Sequence, residues 1–147
     1  MKKTKKNNYI DNIRSFNRFY TSKLGVLNPR VLNTEYSLVE GRIIFEIGSG
    51  RIIARDLTKI LLIDEGYLSR IVKKLEQAGV LKRIPDQQDR RRYFLELTAQ
   101  GKKVYLLLNE RSDKQIEELL VPLTETERAK VGQAVVTLEA LLGRKGG

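Results

Sequence analysis

The chain has 147 residues, enough for one domain that buries its own core, and 28 Lys and Arg against 18 Asp and Glu leave a net charge of +10, which points to an anionic partner. It holds no cysteine and no histidine, which excludes disulfides, thiolate and imidazole metal sites, cysteine nucleophiles and His-dependent triads. The remaining carboxylates form no tight cluster, so no enzyme, cofactor or metal site is expected; the basic start, Met1 to Asn8, leads into no secretory signal, and a cytoplasmic protein without a membrane span is expected.

Ile10, Ile13, Phe16, Tyr20 and Leu24 recur at steps of three or four, which predicts an amphipathic helix from Tyr9 to Leu24, stopped at Gly25. Val26 to Thr34, with Asn28-Pro29 inside it, reads as a loop. Ser37 is placed to cap a second helix, Leu38 to Ile47, which turns Val39, Ile43 and Phe45 inward and ends at Gly48-Ser49-Gly50. A short third helix, Ile53 to Leu62, buries Leu57 and Leu61; Asp64 caps a fourth that runs to Ala78 and stops at Gly79. Val80 to Ile84 and Tyr93 to Leu97 have strand composition and flank a polar tip, Pro85 to Arg92, so a hairpin is predicted. Thr98 can cap a fifth helix to about Leu120, ended by Pro122. Thr124 and Glu127 then have the spacing of a capping box that opens a sixth, with Val131, Val135, Leu138 and Leu142 as its stripe. Lys2, Lys3, Lys5 and Lys6 read as a solvated tail, and Gly143 to Gly147 as a frayed one. The fold class is mainly α (α+β).

The fourth helix has two unlike faces. At 100° per residue Leu68, Ile71, Val72 and Leu75 share one sector, whereas Gly66, Ser69, Arg70, Lys73 and Gln77 share the opposite one. The second face suits a DNA major groove: the helix fits its width, Arg70 can take guanine O6 and N7 bidentately, Lys73 and Ser69 can reach phosphates or base edges, and Gly66 allows a close approach. Lys74 adds a further cation on this helix. The hairpin tip carries Asp89-Arg90-Arg91-Arg92, in which strand alternation would send Arg91 one way and Arg90 and Arg92 the other, one entering a minor groove while Asp89 orients a guanidinium. A merely solvated helix face and turn would show the same residue types.

Asp86 to Gly101, DQQDRRRYFLELTAQG, resembles the wing and following helix start of the multiple antibiotic resistance regulator (MarR) family, roughly D-x-R-D-x-R, strand residues, then L-T-x-x-G. Asp86, Asp89, Arg91, Leu97, Thr98 and Gly101 stand at matching positions, while Gln88 replaces an Arg and Leu62 a common turn Gly. Asp64 to Arg70, which includes Tyr67, and Leu75 to Leu81 are similar to the family's recognition helix and its exit. The resemblance implies a winged helix-turn-helix transcription regulator, a single domain over 1–147, with a DNA-binding lobe at 37–98 and dimerisation helices at 9–34 and 99–143. It also implies a homodimer on a pseudo-palindromic operator of double-stranded DNA, acting as a repressor. The apolar surface of the first, fifth and sixth helices exceeds what one small winged domain covers, which agrees with a dimer. Family members also commonly bind small aromatic or anionic effectors, for which Arg14, Phe16, Phe19, Tyr20 and Tyr36 are candidates, although aromatics at helical spacing also suit plain core. The alternative is a nonspecific or architectural nucleic-acid binder in which the charge alone matters.

Overall fold

The structure, a computed structural model, describes residues 5–144, with side chains from residue 8 onward. Lys2 and Lys3, the side chains of Lys5 and Lys6, and the last residues of the expected C-terminal tail lie outside the described residues. The elements are α1 (Lys5–Leu24), α2 (Leu38–Gly48), β1 (Ile52–Ile53), α3 (Ala54–Leu61), α4 (Glu65–Gln77), β2 (Leu81–Pro85), β3 (Tyr93–Leu97), α5 (Ala99–Leu120) and α6 (Glu125–Leu142). The six expected helices and the hairpin are present; α1 starts four residues before Tyr9, where nothing in the lysine and asparagine run opposes helix. No helix among the described residues is long and apolar enough to cross a membrane.

Two compact units divide the chain at Ser112 and Asp113. The first unit's core is built from Ile43, Ile44 and Ile47 of α2, Leu57 of α3, Leu68, Val72 and Leu75 of α4, the strand residues Leu81, Leu95 and Leu97, and Val104 and Leu108 of α5. Phe45 is 45% exposed and Ile44 is buried in its place, because Ile43, Ile44 and Ile47 form the i, i+1, i+4 stripe of α2. Ser37 and Glu40 close a reciprocal capping box at the start of α2. The three strands run in the order β1-β3-β2, all antiparallel, with Ile52 opposite Leu95 and Arg83 opposite Leu95 on the other side. β1 takes Ile53 out of the expected third helix, since its pairing partner lies some forty residues on and leaves no local signal. Pro85 belongs to β2 rather than to the tip, at the strand's end, where a missing N–H is tolerated.

α4 ends as its sequence dictates: Gly79 at φ 76° lets its N–H reach the Glu76 carbonyl and the Val80 N–H reach that of Leu75, a Schellman closure. The turn into α4 is costlier. Leu62 sits left-handed, φ 55° and ψ 44°, and is 89% exposed, so its side chain is not compensated by burial. Leu62→Gly is therefore expected to raise stability by about 0.5–1 kcal/mol, the relieved strain exceeding the extra unfolded-state entropy of glycine. Urea denaturation measures this, and an unchanged or lower midpoint would contradict it.

In the second unit the end of α5 and α6 are joined by a short turn, with the Leu120 carbonyl accepting from the Arg128 guanidinium at 3.1 Å. Thr124 and Glu127 form the expected capping box. No residue of α6 is buried, and Val131, Val135, Val136, Leu138, Leu141 and Leu142 are all exposed.

Candidate nucleic-acid interface

α4 is held by its apolar face and its first turn. Leu68, Val72 and Leu75 are at most 3% exposed, and the Asp64 carboxylate accepts the Tyr67 N–H at 3.1 Å, which satisfies one of the helix's orphan donors. Gly66, Tyr67, Ser69, Arg70, Lys73, Lys74 and Gln77 are all exposed, so the structure brings the expected α4 residues together on one side. The guanidinium of Arg70 lies over the Tyr67 ring, 5.9 Å from its centroid. Arg70 and Lys73 have no ion-pair partner among the described residues.

Lys74 differs from its neighbours. Its ammonium is 3.3 Å from the carboxylate of Glu40, the buried member of the α2 capping box. Burial works to raise the Glu40 pKa, but the hydrogen bonds from Ser37 and the Lys74 charge outweigh it and hold the carboxyl below its ordinary value. Lys74 thus links α4 to α2.

The wing tip is organised by its two aspartates. Asp86 accepts the Gln88 N–H at 2.9 Å and both Nη2 and Nε of Arg92, at 2.8 and 3.2 Å, on one oxygen. Asp89 accepts the Arg91 N–H on its side chain at 3.0 Å, and its carbonyl accepts the Arg92 N–H at 3.0 Å. These bonds close a turn at Arg90 and Arg91, so strand alternation does not govern the two arginines, and both are exposed. The guanidinium expected to be oriented by Asp89 is held chiefly by Asp86; Asp89 is 3.8 Å from it.

The Gln88 N–H, then the Arg92 guanidinium, hold the Asp86 carboxyl below the usual carboxylate range. A depressed carboxylate stabilises above its unfolded pKa, near 3.9 for Asp, and loses that contribution as pH falls through the lower folded value. Exchange protection of the Gln88 and Arg92 amides is therefore expected to persist down to about pH 4 and to fall below it. In Asp86→Ala, which removes the acceptor, it should be weak throughout, and equal protection in the two proteins would contradict this role.

Sequence reasoning missed Arg51. It lies 4.0 Å over the Phe94 ring and, with Gln88 and Arg92, lines a cleft of about 490 Å³ at the wing root. Its place beside the wing follows from the β1 pairing, which no local pattern announced. Arg55 and Lys59 of α3 are also exposed cations, legible only as the polar side of an amphipathic helix. Of the candidate effector residues, Phe16 and Tyr20 stack at 5.4 Å, Phe19 lies under the Lys23 ammonium and Arg14 is exposed, all on α1. Tyr36 is instead part of the core, where burial and the neighbouring Glu35 push its pKa up. Among the described residues no group of acidic side chains could hold a metal ion.

Residues 36–92, which span α2 to the wing tip, match the family model described as MarR family. YybA, an HTH-type transcriptional regulator of Bacillus subtilis, is 33% identical over 93 residues, covering 63% of this chain and 57% of that protein. FarR of Neisseria gonorrhoeae is 35% identical over 75 residues, 49% of this chain and 51% of its own length. The chain thus spans about half the length of the curated relatives it matches. Two solved structures share the fold at 22% identity. FabT of Streptococcus pneumoniae in complex with DNA has a TM-score of 0.78, covering 92% of this chain and 97% of that one. A mutant MarR of E. coli complexed with operator DNA has a TM-score of 0.71, over 92% and 99%. The sequence match and the structural likeness agree: residues 36–92 are similar to the MarR family, and nearly the whole chain has the winged helix-turn-helix fold of these structures.

Proposed function

We propose that this protein is a transcriptional regulator that binds double-stranded DNA in a sequence-specific manner, as a homodimer, and represses by occupying its operator. The observation that carries the reading is the exposed face of α4, where Arg70 and Lys73 have no acidic partner among the described residues and stand beside the small residues Gly66 and Ser69. A lone helix face of this kind would be ambiguous, but it sits on the same lobe as a wing whose own aspartates fix the tip and leave Arg90 and Arg91 exposed. FabT and MarR, which share the fold, were both solved with DNA. We assign DNA reading to residues 37–98, with Gly66, Tyr67, Ser69, Arg70 and Lys73 in the major groove and Arg90 and Arg91 at the minor groove. Asp89 and Arg92 shape the wing, and Lys74 positions α4.

Residues 9–34 and 99–143 are assigned to dimerisation. A capped helix of 18 residues with no buried residue of its own, as α6 is among the described residues, calls for a partner surface. Each of its valines and leucines would contribute about 1.5–3 kcal/mol on full burial, before the ordering costs of association. Two α4 helices related by a twofold axis would enter successive major grooves about 34–36 Å apart. The stacked pair Phe16 and Tyr20, with Arg14 on the same helix, supports a small aromatic or anionic effector that releases the DNA. DNA reading also implies a cytoplasmic location in a bacterial-type cell.

Selection of bound duplexes from a random DNA pool tests the reading. An inverted repeat with half-site centres about one helical turn apart is expected. A pool that stays random would overturn sequence-specific reading and favour a nonspecific binder driven by the net charge of +10.

A further inference from the structure

We infer that Tyr67 and Arg70 act as one unit that reads a TG step, a thymine or 5-methylcytosine immediately 5′ of the guanine held by Arg70. The inference rests on the DNA reading proposed above and names the bases that the site would select.

Tyr67 and Arg70 are three residues apart on α4, neighbours on one helix surface. The Tyr67 backbone is fixed by the Asp64 cap, and its ring, 39% exposed, is not absorbed by the core. The Arg70 guanidinium lies over that ring and pairs with no carboxylate among the described residues. A cation over an aromatic face at such a distance is attracted to it, so the ring restricts where the guanidinium can point before any DNA arrives. Preorganisation of this kind lowers the ordering cost of forming two hydrogen bonds at once.

Arginine takes guanine through O6 and N7, with the guanidinium close to the plane of the base. A flat cation in that position overlaps the C5 edge of the base on the 5′ side, because successive bases in a duplex are stacked. Thymine and 5-methylcytosine carry a methyl group there; cytosine and uracil carry only hydrogen. With the Tyr67 ring beside the guanidinium, that methyl completes an apolar slot around the cation's faces and sheds water from both. The other exposed α4 residues, Glu65, Gly66, Ser69, Lys73, Lys74 and Gln77, offer no aromatic surface, so Tyr67 is the one residue of this face suited to the methyl.

The test uses the full-length protein and the duplex selected from the random pool. A TG step is expected in each half-site. Replacing its thymine by deoxyuridine should weaken binding about fourfold per half-site, the worth of one buried methyl, hence about fifteenfold when both half-sites are changed, and 5-methylcytosine paired with guanine should restore it. Tyr67→Ala should lose the distinction between thymine and deoxyuridine while keeping that between guanine and adenine at the next position; Tyr67→Phe, which retains the ring, should keep both. A selected sequence without a TG step, indifference of the wild type to deoxyuridine, or an undiminished thymine preference in Tyr67→Ala would each overturn the inference and leave sequence-specific binding intact. A pool with no enriched sequence would overturn both.

Discussion

Gly101→Ala is expected to destabilise the fold by about 3 kcal/mol, near the upper end for overpacking, and to lower the melting temperature by roughly 6–12 °C for a chain of this size. The reason lies where α5 leaves β3. Thr98 donates its hydroxyl hydrogen to the Gly79 carbonyl at 2.5 Å, and its oxygen accepts the Gly101 N–H at 3.0 Å. Its own N–H meets the Val80 carbonyl at 3.1 Å. One threonine therefore ties the end of α4 to the start of α5 and caps the latter. This brings the Gly101 Cα against backbone: a methyl group there would collide with the Val80 carbonyl oxygen and crowd the Leu97 side chain. Backbone cannot rotate aside as a flexible side chain can, so either the Thr98 bonds or the packing of α5 must give. The L-T-x-x-G spacing thus has a physical basis in this chain. Thermal and urea denaturation measure the effect, and a stability within about 0.5 kcal/mol of the wild type, the range of an ordinary surface substitution, would show that the junction is looser than described.

Arg70→Ala is expected to cost about 1–3 kcal/mol per half-site on the selected duplex, hence about 2–6 kcal/mol for a dimer that uses both copies. The loss should be concentrated on the selected sequence. The scrambled duplex, whose guanines do not stand in the register that the selected site presents to Arg70, should change far less, so the ratio of the two affinities collapses. Lys73→Ala is the contrasting case: a phosphate contact would weaken both duplexes alike and reduce the slope of log affinity against log salt by about one per chain. Equal losses on both duplexes in Arg70→Ala would remove the base-reading role from this residue. Circular dichroism of the variant separates that result from a folding defect, which is not expected for an exposed side chain on the polar face of α4.

The helices were legible because their signals are local. Apolar spacing, the caps Ser37, Asp64 and Thr124, and the stop at Gly79 all lie within a few residues of the elements they define, and each is used as read. The α4 face was legible for the same reason: a period of 3.6 sorts Leu68, Val72 and Leu75 from Arg70 and Lys73 without tertiary information. What stayed hidden depends on contacts distant in sequence or on competition between charges. β1 exists only through β3, and without it Arg51 could not be placed beside the wing. Which carboxylate takes the Arg92 guanidinium could not be read from a run holding Asp86, Asp89 and three arginines; the turn closed by Asp89 brings Arg92 across to Asp86. Lys74 looks like Lys73 in sequence, yet lies one position further round the helix, where Glu40 meets it. The sixth helix shows a third limit. Its periodicity marks the apolar stripe, but periodicity does not say what covers it, and the stripe is exposed among the described residues.

On the proposed function, the exposed α4 face and the wing read base sequence rather than charge alone. The most direct measurement is the ratio of affinities for the selected duplex and a scrambled duplex of identical composition, titrated side by side at one near-physiological salt concentration. A ratio of about a thousand or more, in the range of specific regulators, is expected, with two chains bound per selected duplex. A ratio near one, with both affinities falling equally steeply as salt rises, would contradict the claim.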